Sequence, residues 1–117
     1  MKKCLVIVVV LAISTLSLPA YAGVYSCTGT VTTLEVASCC GGVVYVSGAG
    51  GLNTVAICTL NGGSGNFNAD SCKAAYATLL AAKLQGLTVS IAFSDTLTCS
   101  TQPGSTATSS AWAVSLQ

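Results

Sequence analysis

The segment Cys72–Phe93, CKAAYATLLAAKLQGLTVSIAF, decides the fold, because its apolar period changes once along its length. From Cys72 to Gln85 the residues are mostly alanine, leucine and lysine, all good helix formers. Tyr76, Leu79, Leu80 and Leu84 recur there at spacings of three and four, which gathers them on one side of a helix over about residues 71–85. Asp70 or Ser71 offers an oxygen to cap its start, and Gly86 suits its end. Beyond Gly86 the period drops to two: Leu87, Val89, Ile91 and Phe93 alternate with Thr88, Ser90, Ala92 and Ser94, the pattern of a half-buried strand.

Working back from the helix, Asn61–Asn68 is a Gly/Asn/Ser loop, and Thr54–Leu60 reads as a strand. Gly48–Gly51 looks like the turn that joins it to a short strand, Val43–Val46. Val24–Val36, rich in Thr and Val, is expected to be one long first strand bent at Gly29. Working forward, Ser100–Ser110 is a Ser/Thr loop, and Trp112, Val114 and Leu116 alternate in a last strand. The resulting order, β-β-β-α-β-β, is the connectivity of the oligonucleotide/oligosaccharide-binding (OB) fold, a mainly β (α+β), five-stranded small barrel with its helix between strands three and four. A flat α+β sheet with the helix on one face uses the same elements. Tyr76 and Trp112 are expected in the core.

The N-terminus reads as a removable export signal over residues 1–22. Met1-Lys2-Lys3 is followed by an uncharged apolar run from Leu5 to Leu18, and Ala20-Tyr21-Ala22 forms a small-x-small cleavage box. The run is shorter than the roughly 20 residues of a membrane-spanning helix, and Cys4 has no lipobox leading into it. A secreted or periplasmic domain of about 95 residues, 23–117, follows, with no membrane segment after cleavage.

Six cysteines remain in that domain: Cys27, Cys39, Cys40, Cys58, Cys72 and Cys99. An even number in a small exported chain reads as a disulfide framework. Adjacent Cys39 and Cys40 point apart on an extended chain, so they bridge two separate partners more easily than each other. A vicinal bridge and an intermolecular one are the alternatives. Metal binding is disfavoured, because the chain has no histidine and no cysteine pair at zinc spacing.

The domain carries Lys73 and Lys83 against Glu35, Asp70 and Asp95. That balance has none of the basic patterning of a nucleic-acid binder. It also leaves few groups for catalysis: without histidine, proton transfer would fall to these carboxylates, the lysines or a thiol. Asp70 is read as a helix cap, the lysines as the wet side of the helix, and Glu35 and Asp95 as solvated surface. Neither glycine tract carries the Gly-Lys-Ser/Thr ending of a phosphate loop. No catalysis, cofactor or metal is expected.

Val55–Ser94, VAICTLNGGSGNFNADSCKAAYATLLAAKLQGLTVSIAFS, resembles the middle of the B subunits of the subtilase-cytotoxin and pertussis-like toxin group. Those proteins share a strand ending in cysteine, a polar loop, a helix with an aromatic followed by leucines, a glycine and an alternating strand. The stretch is also similar to a broader set of small exported bacterial OB-fold proteins with a helix of the Tyr76-Ala77-Thr78-Leu79-Leu80-Ala81-Ala82 type. The resemblance spans about 40 residues and implies an exported barrel that assembles as a ring and binds glycans. It matches Thr28-Gly29 to a Ser-Gly whose hydroxyl takes part in sugar binding, although the aromatic and charged residues of that pocket have no counterpart here. It also implies a Cys58–Cys99 disulfide.

The expected function is thus an exported, non-enzymatic, homo-oligomeric binding module whose ligand is a glycan or a protein. Thr28, Tyr25 and Tyr45 are the candidate contacts, since tyrosine among small hydroxyl residues is a common recognition composition. A structural or assembly component of the periplasm or cell surface, and a small inhibitor of an exported enzyme, are the alternatives.

Overall fold

The structure, a computed structural model, describes residues 24–62, 65–104 and 110–117. The export signal expected over residues 1–22 lies outside them. The elements are β1 (Tyr25–Thr30), β2 (Thr33–Ala37), β3 (Val43–Ser47), a 3-10 turn (Ala49–Gly51), β4 (Val55–Thr59), α1 (Ala69–Gln85), β5 (Thr88–Phe93) and β6 (Ala111–Leu116). They form a mainly β domain of two antiparallel three-stranded sheets, ordered β1-β5-β6 and β2-β3-β4, with one helix.

Six strands in two open sheets replace the expected five-stranded, partly open barrel. The difference arises where the first strand was expected to run unbroken. Its pairing with β5 ends at Thr30, and pairing with β3 begins at Thr33, so the chain crosses between sheets at Val31 and Thr32. Val31 is buried at the crossing. Gly29, expected as the bend, has another task. A Cβ there would lie 2.9 Å from the backbone nitrogen of Gly50, so the missing side chain lets the 3-10 turn between β3 and β4 lie directly on β1. That close approach joins the two sheets.

β5 is the strand its sequence announces. Val89, Ile91 and Phe93 are fully buried, while Thr88 and Ser90 are only partly covered on the other face. α1 starts two residues earlier than expected, at Ala69. Its cap is Asn68, whose side chain accepts the N–H of Ser71 at 2.8 Å, rather than Asp70 or Ser71. Gly86 ends it in the left-handed conformation (φ 65°), and Leu87 donates to the carbonyl of Ala82 at 2.9 Å.

The helix is rotated from the leucine-based expectation. Cys72, Ala75, Leu79 and Ala82 are its buried face, whereas Leu84 is 77% exposed and Leu80 lies at the margin. Small residues allow a closer approach of helix to sheet, and a bridge from Cys72 to Cys58 on β4 fixes which side turns inward. Trp112 also departs from expectation, at 48% exposed. The ladder between β5 and β6 is irregular between Ala92 and Phe93, whose partners are Ala113 and Ala111, so Trp112 is the extra residue of a bulge.

Two disulfides are present, Cys27–Cys99 and Cys58–Cys72, each with Cα atoms 5.6 Å apart. The Cys58–Cys99 pair implied by the family resemblance is therefore not formed; each takes a different partner. Cys58 points from a strand buried along its whole length into the core beneath the first turn of α1, and Cys99 lies in the loop that returns past β1. Cys39 and Cys40 are free and exposed.

Candidate functional site

Antiparallel partners share a face, and the register of β1, β5 and β6 sorts that sheet into two unlike sides. Inward lie Cys27, Val89, Ile91, Phe93 and Ala111, all fully buried. Outward, Thr28 stands opposite Ser90 and Ser90 opposite Ser115, while Thr30 stands opposite Thr88. Ser26 extends the row on β1, beside Ala92 and Ala113. The outer side is thus an array of short hydroxyls with no charged residue among these positions. Thr28 Oγ1 donates to Ser90 Oγ at 3.2 Å across the strands. Short side chains held on a pleated sheet lose little conformational freedom on meeting a ligand, and each hydroxyl both donates and accepts.

Thr28 is therefore an exposed hydroxyl within an array. Tyr25 and Tyr45 do not join it. Tyr25 is three residues from Thr28 and points to the opposite face, where its ring stacks on Phe93 with centroids 5.6 Å apart. Tyr45 belongs to the other sheet, opposite Glu35 on β2. The three candidate contacts do not converge.

The Tyr25 hydroxyl instead enters a polar cluster around Asp95. It donates to Oδ1 of Asp95 at 2.7 Å, and the Leu97 N–H donates to the same oxygen at 2.8 Å. Gln102 Nε2 donates to Oδ2 at 2.7 Å, and the Ser110 hydroxyl also donates to that atom. Gln102 donates to the Tyr25 oxygen as well. Both carboxylate oxygens of Asp95 thus accept two hydrogen bonds, which fills their capacity.

Partial burial alone would raise the Asp95 pKa, but the donors Ser110, Gln102, Tyr25 and Leu97 outweigh it and hold the carboxyl down to about 2. Tyr25 is pushed up to about 12 by desolvation and by its bond to Asp95. A saturated carboxylate with a depressed pKa is a poor proton acceptor. Asp95 is a clamp that ties the loop after β5 and the start of β6 to β1, close to the Cys27–Cys99 bridge, and not the solvated side chain expected from the sequence.

The β2–β3 connection holds the two free thiols. Gly42 donates to the Cys39 carbonyl at 3.3 Å, closing a turn in which Cys40 and Gly41 both have positive φ, 62° and 87°. The turn is anchored: Leu60 and Asn61 donate to the carbonyls of Gly42 and Gly41 at 3.0 and 3.1 Å. The two thiols are thus neighbours on a tight, fastened turn and not on an extended strand, and the adjacent Cys39 pushes the Cys40 thiol's pKa up.

Among the described residues no three acidic or cysteine side chains gather as metal ligands, and no helix is long and apolar enough to cross a membrane. The outer hydroxyl array is only half visible in sequence. The Thr88/Ser90 alternation is plain, but nothing local says that Thr28 and Ser115 flank it. Comparison of the chain with protein families, with curated proteins and with solved structures finds no match.

Proposed function

We propose that this is an exported, non-enzymatic binding module, secreted or periplasmic, that presents the hydroxyl face of the β1-β5-β6 sheet to an uncharged polar ligand of the glycan class. The observation that carries the reading is the cross-strand array Thr28, Ser90 and Ser115 with Thr30 and Thr88, a rigid set of donors and acceptors with no charge among them. Glycan hydroxyls match such a surface group for group, and half-exposed Trp112, next in sequence to Ala113 on that face, offers an apolar plate nearby. Two disulfides in a small domain agree with an oxidising compartment. The partial likeness to toxin B subunits points to the same ligand class. A glycan array probed with the oxidised chain tests the reading, with a Thr28→Val, Ser90→Val variant alongside. Glycans retained by the parent and lost by the variant are expected; an array on which the parent retains nothing removes the glycan reading.

A second reading, an assembly component that associates with copies of itself, draws on Leu84, Leu87 and Leu116. All three are exposed in a chain with few charges to oppose association. Light scattering that finds only monomer at high concentration removes it.

A further inference from the structure

We propose that the Cys39–Cys40 turn is a thiol–disulfide exchange site, which takes a disulfide of another molecule as oxidant and closes reversibly to a Cys39–Cys40 bridge. Three observations carry this. Four of the six cysteines in the described residues are already paired in bridges, and these two alone stay reduced and exposed. They are neighbours in sequence and sit on a tight turn, not on an extended strand that would point them apart. Cys40 adopts a left-handed conformation that a side chain with a Cβ rarely takes, in a turn fastened to Leu60 and Asn61. Backbone conformations of this kind persist where the surroundings impose them, and they concentrate at reactive sites.

Both thiols are exposed, so either can open the exchange and its neighbour resolves it. When Cys39 opens it, its thiolate attacks one sulfur of a disulfide RSSR. The S–S bond breaks, a mixed disulfide Cys39–S–S–R forms, and RS⁻ departs to take up a proton. Cys40 then loses its proton and attacks the Cys39 sulfur, which expels the second RS⁻ and closes the bridge. Two thiols give up two electrons and two protons in total, and RSSR becomes two RSH.

Adjacent Cα atoms across a trans peptide are about 3.8 Å apart, shorter than the roughly 4.4–6.8 Å that disulfides prefer. The closed form is therefore strained and readily reduced, unlike the two bridges at 5.6 Å. Strain of this sort suits a site that exchanges and ill suits one that only staples.

The test equilibrates the folded chain, with both structural bridges intact, in glutathione buffers of rising oxidised-to-reduced ratio. Samples are then acid-quenched and read by alkylation, intact mass and peptide mapping. In the parent, both alkylatable thiols should disappear together and the mass should fall by two hydrogens, with the glutathione adduct only transient. Cys40→Ser and Cys39→Ser should each halt at one persistent adduct. A parent that keeps one or two adducts, or whose thiols stay reduced in excess oxidised glutathione, overturns the proposal. So does mapping that finds Cys39 or Cys40 joined to Cys27, Cys58, Cys72 or Cys99. None of these readouts involves the hydroxyl face, so the outcome is independent of the glycan reading.

Discussion

The two sheets have the same size and the same antiparallel pairing, yet they expose different chemistry. In β1-β5-β6 the inner side is core and the outer side is a hydroxyl array, so the sheet is two-faced in the manner its alternation announces. In β2-β3-β4 the strand at one edge, β4, is buried at every position, whereas β2 at the other edge is largely exposed. The first sheet offers a surface. The second offers a turn, the Cys39–Gly42 reversal that holds the two thiols. Packing decides this: β4 is covered on both sides by the rest of the domain and has no free face to present, while β1, β5 and β6 are covered on one.

The two sheets are also secured with different strength, and the largest expected effect exploits that. The Cys27–Cys99 bridge spans 72 residues and Cys58–Cys72 spans 14. In the chain-entropy account these are worth about 4 and about 3 kcal/mol. Cys27→Ala with Cys99→Ala should therefore lower stability more than Cys58→Ala with Cys72→Ala in guanidinium unfolding. An inverted order would mean that the β4–α1 contact, and not the β1 clamp, secures the domain.

Next in size is the weld between the sheets. Gly29→Ala puts a Cβ 2.9 Å from the Gly50 nitrogen and 3.3 Å from Ala49 Cα, both backbone atoms that cannot swing away. A loss of about 2 kcal/mol is expected, measured as a lower midpoint with an unchanged denaturant slope. An unaffected midpoint would show that the sheets separate at this contact without cost.

The Asp95 clamp is smaller and depends on pH. Its folded pKa of about 2 lies below the ordinary carboxylate value near 3.9, so its contribution is present above about pH 4 and vanishes as pH falls through about 2. Asp95→Asn should cost about 1–2 kcal/mol at neutral pH, after allowance for solvent screening, and almost nothing at pH 2. Tyr25 has the opposite sense. Raised to about 12 from about 10, it contributes below pH 10 and the contribution is lost as pH rises through 12, so Tyr25→Phe should flatten the alkaline limb of a stability–pH curve.

The smallest stability effect belongs to the open face. Thr28→Val replaces an exposed hydroxyl that donates to Ser90 at 3.2 Å, and a change within about 0.5 kcal/mol is expected by thermal unfolding. A large loss would make the array structural and leave no free face to compare.

Much of this architecture is legible in residues taken a few at a time. The alternation from Val89 to Phe93, the helix formers before Gly86 and the Gly-rich turns specify their elements because side-chain direction is fixed by local backbone geometry. The candidate site was less legible. Thr28 could be named, but its cross-strand partner Ser90 lies 62 positions away in the chain and Ser115 farther still. Tyr25 was read from its surroundings in sequence as a surface residue, yet three residues of separation on a strand put it on the other face, against Phe93. The leucines of α1 looked like its buried face, but the Cys58–Cys72 bridge and the small residues Ala75 and Ala82 turned the helix away from them.

Residue order alone determined the elements, their succession, the scarcity of charge and the presence of a disulfide framework, since each depends on composition or on contacts within a few residues. Tertiary structure decided that the strands form two open sheets rather than one small barrel, which cysteines pair, and that Cys39 and Cys40 are left unpaired at a turn. Those outcomes depend on close approaches between distant segments, such as Gly29 against Gly50, whose energies no local pattern encodes.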